Sequence, residues 1–451
     1  MQKNWRDRLK AINTAESFWL LNCHISQSLL PQTTWQQITR NGLCLVDLEI
    51  QQGKISQIVD AGGSNLEQIN QIDLQKKIVL PCFSDLHTHL DKGHIWERSP
   101  NLDGTFQTAL DTAIADSQQF WQGEDVYRRM EFSLKCAYAY GTKAIRTHLD
   151  SFGEQAKISW QVFQDLQQQW QDRLELQAVS LVSLDYYQTP EGVALADLVA
   201  EYGGVLGGVL YINPQLDGQI ETLFKLAKER DLDLDLHVDE NGDPDSICLA
   251  KVAEAAIKYQ FSGKIVCGHC CSLAVQSPEE VTRTIELVKQ AGITVVSLPM
   301  CNLYLQDRTY QQEKQSQKPI TPIWRGVTRV HELQQNNVPV AFASDNTRDP
   351  FYGFGDLDMW EVLQQATRIA HLDCDYNYWI RSVTQTPAQA MGLEPPVFKL
   401  GTAADLVIFP GRYYSELLSR SQHQRVIIRD GQIIDPILPE YTELDDLVGS
   451  I

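Results

Sequence analysis

Two histidines, His87 and His89 in the string HTHLD, directly follow an apolar run from Ile78 to Phe83. On an extended strand, residues i and i+2 share a face, so both imidazoles can reach one metal ion. Three further groups lie downstream: His237 in DLHVDE, His269 in CGHCC and Asp345 in ASDNTRDP, each at or just past the end of a strand-like run. Three imidazoles and a carboxylate form a mixed nitrogen and oxygen shell suited to a divalent transition metal such as zinc or ferrous iron. Such an ion lowers the pKa of bound water to about 7, supplying hydroxide at neutral pH. Glu240 ends the HVDE string just after His237, where a carboxylic acid can protonate a ring nitrogen as hydroxide attacks the adjacent carbon. His269 needs no metal role; with Asp345 it can hold or deprotonate the bound water. The set suits addition of hydroxide to an sp2 carbon followed by expulsion of ammonia, with Glu240, His269 and Asp345 as catalytic groups.

Neighbouring residues admit more than one reading. Cys267-Gly268-His269-Cys270-Cys271 contains a C-x-x-C, which can mark a structural zinc or redox site. No second cysteine pair stands near enough in sequence to close a tetrahedral site, so buried thiols around a catalytic histidine are expected. His148 in RTHLD also ends a strand, and it is assigned to support of the ligands or contact with substrate, with plain packing as the rival. Asp235 belongs to the barrel interior. Lys92 and His94 either line the pocket or sit in a solvated loop.

These groups need a scaffold that gathers strand ends. Between residues 76 and 394 helical and strand patterns alternate. Asp125–Tyr140 reads as a helix with an Asp cap and a stop at Gly141, followed by a strand at Ala144–Asp150. Candidate strands lie near 78–83, 143–149, 176–184, 205–211, 232–238, 264–268, 293–298 and 338–344. Eight strands alternating with helices predict a (β/α)8 TIM-like barrel, whose chemistry sits at the C-terminal strand ends. The flanks differ. Residues 18–60 and 401–435 are short strand-like pieces, with turns at Gln51-Gln52-Gly53 and Asp430-Gly431. The expected organisation is 1–75 as the N-terminal part of a small β-sandwich, 76–394 as the metal-dependent barrel, and 395–451 as the C-terminal part of the sandwich. The Gln-rich stretch near 163–171 reads as a solvated helix face.

Composition narrows the partners. The 451 residues carry a formal net charge of −20, which argues against nucleic acid or an anionic membrane, since both need a basic face. The ten cysteines are spread along the chain, several within apolar runs, as buried free thiols are. The polar N-terminus lacks a signal-peptide core, and no run approaches the roughly 18 apolar residues of a membrane span. A reduced, cytoplasmic protein acting on a small molecule is expected.

The strings PCFSDLHTHLD, GTF (104–106), AIRTHLD, DLHVDE, LPMCNLYLQDR, GVTRVHEL and SDNTRDPFYGFGDLDM together resemble the amidohydrolase superfamily and, within it, bacterial cytosine deaminases. The resemblance runs across nearly the whole chain. It implies metal ligation by His87, His89, His237 and Asp345, Glu240 as proton shuttle, His269 as partner of the hydrolytic water, and one Fe2+ or Zn2+ ion per subunit. Barrels of this family often assemble as homo-oligomers, but no interface can be read here. Departures cluster where substrate is read. Ser183 stands where the family has a glutamine that binds the pyrimidine amide edge, Asn346 where it has a second aspartate, and Phe351 within its DPWY string. Ser183, Asn346, Phe351, Phe106 and His148 are therefore the expected substrate contacts. The shorter group at 183 leaves room for a larger ring.

The expected activity is metal-dependent hydrolytic deamination of a cyclic amidine, a cytosine-like nucleobase or related aminated heterocycle. Alternatives are a triazine or purine-type ring and hydrolysis of a cyclic amide, as in hydantoinase-like relatives. The segment VLYINPQ lacks the carboxylated lysine that bridges two metals after the fourth strand, which counts against the cyclic amide reading and favours one metal. A non-catalytic metal-binding barrel is the third reading.

Overall fold

A computed structural model of the protein describes residues 5–11, 16–31, 34–63, 70–308 and 321–449; the first residues of the polar N-terminus lie outside this set. The strands, in chain order, begin with β1 (Ser17–Ser26), β2 (Leu43–Gln51), β3 (Lys54–Asp60), β4 (Gln71–Asp73) and β5 (Val79–Pro81). Then come β6 (Phe83–Thr88), β7 (Thr142–Asp150), β8 (Glu175–Leu181), β9 (Leu206–Val209), β10 (Leu234–Val238), β11 (Ile265–His269), β12 (Thr294–Ser297) and β13 (Val340–Phe342). The chain ends with β14 (Leu406–Ile408), β15 (Val426–Arg429) and β16 (Gln432–Ile434).

Strands β6 to β13 are parallel and alternate with helices, a TIM-barrel type of α/β fold. They form arcs of three (β6-β7-β8) and five (β9 to β13) strands. Single parallel bridges span both seams. Val179 pairs with Val205 and Ser183 with Val209 at one, and Thr88 with Asp345 at the other, where the Asp345 N–H donates to the His87 carbonyl at 2.9 Å. The alternation of a strand sends Asp235 and His237 to one side of β10 while Leu234, Leu236 and Val238 join the main apolar core. Below the site, the Arg146 guanidinium donates to Asp235 (2.9 Å) and to Gln177 Oε1 (2.8 and 3.0 Å), satisfying charges that would be costly alone in the interior.

The apolar run at 78–83 is divided between two sheets. Residues Val79–Pro81 pair antiparallel with β14, and the first strand of the parallel set begins at Phe83. The helix expected from Asp125 begins at Gly123, with Gln122 preceding it and giving no side-chain cap. Asp125 instead lies in the first turn, bound to Arg98 at 2.6 Å and Arg129 at 2.7 Å. Gly141 does end that helix, in the left-handed region at φ 93°. Gln164, Gln168 and Gln169 face solvent on the helix Gly153–Trp170.

The chain ends build two four-stranded sheets, β3-β2-β1-β4 and β16-β15-β14-β5. Both expected hairpins form, with Gln52 (φ 50°), Gly53 (φ 78°), Asp430 (φ 45°) and Gly431 (φ 72°) in the left-handed region that a two-residue turn of this kind requires. The two turns abut: a Cβ on Gly431 would lie 2.5 Å from the Gly53 Cα, so neither position accepts a side chain. Among the described residues no helix is long and apolar enough to cross a membrane.

Candidate active site

The strand ends bring His87, His89, His237 and Asp345 into one buried cluster. His237 Nε2 lies 3.1 Å from His87 Nε2 and 3.3 Å from His89 Nε2. Asp345 Oδ1 lies 3.3 Å from His89 Nε2 and 3.6 Å from His87 Nε2. Metal–donor distances of about 2.0–2.2 Å in a tetrahedral shell require donor–donor edges of roughly 3.3–3.6 Å, which these spacings match. Asp345 is 1 % exposed, and neither carboxylate oxygen has a hydrogen-bond partner. Burial pushes its pKa up to about 7 and pushes those of His87, His89 and His237 well below the ordinary imidazole value. Neutral imidazoles and an unpartnered carboxylate converging on one point are a donor set that a divalent cation satisfies at once.

Backbone geometry aims the groups. His269 and Asp345 adopt φ of 68° and 65°, an uncommon conformation for residues other than glycine that concentrates at functional sites. Gly268 makes room for the cluster: a Cβ there would meet His87 Cε1 at 2.9 Å. Asp239 fastens the loop that carries Glu240, because its carboxylate accepts the N–H groups of Cys248 and Leu249, both at 2.9 Å, and the Ser246 hydroxyl at 2.7 Å.

Glu240 and His269 stand side by side next to the cluster, with Oε1 and Nδ1 at 3.2 Å. Asn302, which sequence reasoning did not single out, joins them: its Nδ2 lies 3.1 Å from Glu240 Oε1 and 3.1 Å from His269 Nδ1. Its only signal was its place in the string LPMCNLYLQDR. Burial, then the nearby Asp345 charge, raise the Glu240 pKa well above the usual carboxylate value, which favours its protonated form. Burial lowers that of His269 to about 3.

A cavity of about 300 Å3 opens above these groups, lined by His89, His237, Glu240 and His269 at its floor. Ser183, Asn346, Phe351 and Phe106 line it as well, together with Tyr211, the pair Lys92 and Asp150, and Leu110, Ala113 and Ile114 of the helix Phe106–Phe120. The Ser183 hydroxyl makes no hydrogen bond among the described residues, whereas Asn346 Nδ2 donates to buried Asp349 at 2.7 Å. The Asn346 amide is thus partly committed within the protein. His148 does not line the cavity. Fully buried, it packs against His87 with ring centroids 4.1 Å apart, and its Nε2 lies 3.7 Å from Asp235. Distance alone leaves it near the cluster, since ligand atoms of His87, His148 and His237 lie within 4.8 Å of one another, but the quartet with Asp345 is spaced more tightly. Asn213 is turned away, bonded to Gln219 at 3.1 Å. Cys267, Cys270 and Cys271 are buried free thiols, and no cysteine joins a metal-donor cluster among the described residues.

The amidohydrolase family matches residues 161–435. The pterin deaminase of Rhizobium rhizogenes is 46% identical over 432 residues, covering 94% of this chain and 97% of that protein. The N-isopropylammelide isopropyl amidohydrolase of a Pseudomonas species is 23% identical over 376 residues, 81% of this chain and 88% of that one. Among solved structures, the 5-methylcytosine deaminase of Klebsiella pneumoniae superposes with a TM-score of 0.77 at 24% identity, over 94% of this chain and 98% of that chain.

Proposed function

The chain belongs to the amidohydrolase family, and we propose that it is a metal-dependent hydrolytic deaminase of an aminated heterocycle, with a pterin-type 2-amino-4-oxo bicyclic ring as the first candidate substrate. The observation that carries this is the placement of Glu240 beside His269, at the floor of an apolar cavity and next to a quartet of metal-donor atoms, with burial raising the Glu240 pKa. The 46% identity to a pterin deaminase supports the bicyclic ring over the cytosine-like one, as does the short Ser183. Triazines remain in the same reaction class, supported more weakly by the ammelide-acting relative.

His87, His89, His237 and Asp345 would hold one zinc or ferrous ion, whose bound water is acidic enough to supply a nucleophile at neutral pH. Glu240 gives its proton to the ring nitrogen beside the amine-bearing carbon as that carbon gains oxygen. His269 and Asp345 take the proton released from the water. The proton held by His269 and Asp345 then passes to the amine while Glu240 takes back one from the new hydroxyl, so the C–N bond breaks, releasing ammonia and leaving a ring carbonyl. Asn302 keeps Glu240 and His269 in register by facing both. His148, packed behind His87, supports the ligand from the protein side. The apolar walls, including Phe106 and Phe351, clasp the ring faces.

We also read β6 to β13 as a closed (β/α)8 barrel, supported by the bridges at both seams. The end sheets would form one β-sandwich from 1–75 and 395–451, flanking a barrel of 76–394. Nine buried free thiols fit a reducing compartment.

Ammonia release from metal-loaded protein tests the function, with pterin, guanine, cytosine, 5-methylcytosine and amino-triazines offered in parallel. Turnover of pterin above the others is expected. Turnover of the triazine or cytosine alone would move the substrate assignment, and no ammonia from any ring with metal bound would refute the deaminase reading.

A further inference from the structure

Besides Glu240 and His269, the residues lining the cavity include a second close pair of titratable groups, Lys92 and Asp150. Lys92 Nζ lies 2.7 Å from Asp150 Oδ1, and the Lys92 side chain is 5% exposed while that of Asp150 is 27% exposed. An ammonium buried this deeply in an apolar wall is costly unless its position is used. The pair is held from behind. The Asp150 N–H donates to Asp91 Oδ2 at 2.8 Å, and Arg129 donates to the Asp91 and Gly93 carbonyls. The Phe351 ring centroid lies 5.4 Å from Nζ.

The bonding ledger of the pair is incomplete on the cavity side. An ammonium has three donors, and only the one to Asp150 is engaged among the described residues. Asp150 Oδ2 has no partner there either. Lys92 and Asp150 line the same cavity as His89, His237, Glu240 and His269, so a ring held over those groups lies within the same enclosure as the pair. A free donor beside a free acceptor is the complement of a lactam edge, in which a ring carbonyl accepts and the adjacent ring N–H donates.

We propose that Lys92 and Asp150 read the lactam edge of the substrate, Lys92 donating to the ring carbonyl oxygen and Asp150 accepting from the neighbouring ring N–H. This rests on the deaminase reading and narrows it. The preferred ring carries a carbonyl and N–H beside the amine-bearing carbon, leaving the other ring nitrogen next to that carbon for Glu240. Ser183 offers a single hydroxyl oxygen and not the separate donor and acceptor atoms of an amide, so the paired recognition is carried from a different strand end.

The test compares 2-amino-4-oxopteridine with 2-aminopteridine, which lacks both lactam groups. Wild type, Lys92→Met and Asp150→Asn, each metal-loaded, are assayed for ammonia release and, separately, for equilibrium binding by ligand fluorescence. Wild type is expected to favour the oxo ring by at least about tenfold in kcat/KM and in binding, and each variant to lose at least about tenfold on that ring alone. Any loss on 2-aminopteridine should be at least about tenfold smaller than the loss on the oxo ring, so the ratio of kcat/KM for the two rings is the deciding quantity. Equal losses on both rings would assign the pair a structural role and overturn the proposal, as would undiminished discrimination or a wild type that binds neither ring preferentially. Wild type that binds the oxo ring selectively, loses that selectivity in the variants, yet releases no ammonia would refute the deaminase reading and leave the recognition standing.

Discussion

Glu240 shows how much of a catalytic role comes from surroundings. Burial and Asp345 raise its pKa, which favours the protonated carboxyl that the donor role proposed for it requires, where an exposed glutamate would be an anion. Replacing Glu240 with Gln keeps the shape and the contact to Asn302 but removes the transferable proton. Turnover is expected to fall by about 10²- to 10⁴-fold with metal content unchanged, as read by ammonia release and metal analysis of one preparation. Metal loss in the variant would show that Glu240 holds the site together and does not move protons. The groups that could be read from sequence are those whose type is rare and whose spacing carries meaning: His87 with His89, then His237, His269 and Asp345. Asn302 could not be, because asparagine is common and its value lies in touching two groups 62 and 33 residues away. Lys92 and Asp150, 58 residues apart, meet only because adjacent strands β6 and β7 end side by side.

At the scale of elements, residues at or just past the ends of β6, β7, β10, β11 and β13 build the site, and His269 and Asp345 there take up left-handed backbone. Most strands were legible from apolar runs between helical patterns. The exception was the run at 78–83, because β-propensity identifies extended chain without identifying its partner, and this run is equally buried in either sheet. Strand β11 carries a testable constraint. Gly268 faces the His87 ring, and an added methyl would lie 2.9 Å from Cε1 and 3.1 Å from Nδ1. Gly268→Ala should therefore displace His87 and weaken metal binding by about 10- to 100-fold, with helix and strand content intact by circular dichroism. Metal titration decides the matter: wild-type affinity in a folded variant would mean that the ring can move aside and still ligate.

Across the whole molecule, the loop after the first parallel strand is tied to the loop after the last. The N–H groups of His94 and Trp96 donate to the carbonyls of Thr347 (3.1 Å) and Arg348 (2.9 Å). The His94 ring packs edge-on to Phe132 at 4.7 Å, Phe132 stacks on Tyr441, and Arg348 lies over Tyr441, so the C-terminal segment joins the same junction. Sequence reading placed both chain ends in one flanking unit from their hairpin signals, but nothing in residue type announced this junction. His94 is 2% exposed with neither ring nitrogen partnered, and burial followed by the charges of Arg348 and Arg129 lowers its pKa to about 3. In the unfolded chain the ring titrates near 6.5. The unfolded state therefore binds one more proton than the folded state between about pH 6.5 and about pH 3, and stability falls as pH drops through that window. Above the unfolded pKa this contribution is fully present. His94→Asn, which tolerates the local φ of 60°, removes the titration. Its stability relative to wild type should improve by roughly 2 kcal/mol between about pH 7 and about pH 5, since each pH unit below the unfolded pKa contributes about 1.4 kcal/mol. Urea unfolding of both metal-loaded proteins at the two pH values measures this, and effects common to both, including the metal and the other buried carboxylates and imidazoles, cancel in the difference. Parallel loss of stability in the two proteins would show that the ring accepts its proton without opening the junction.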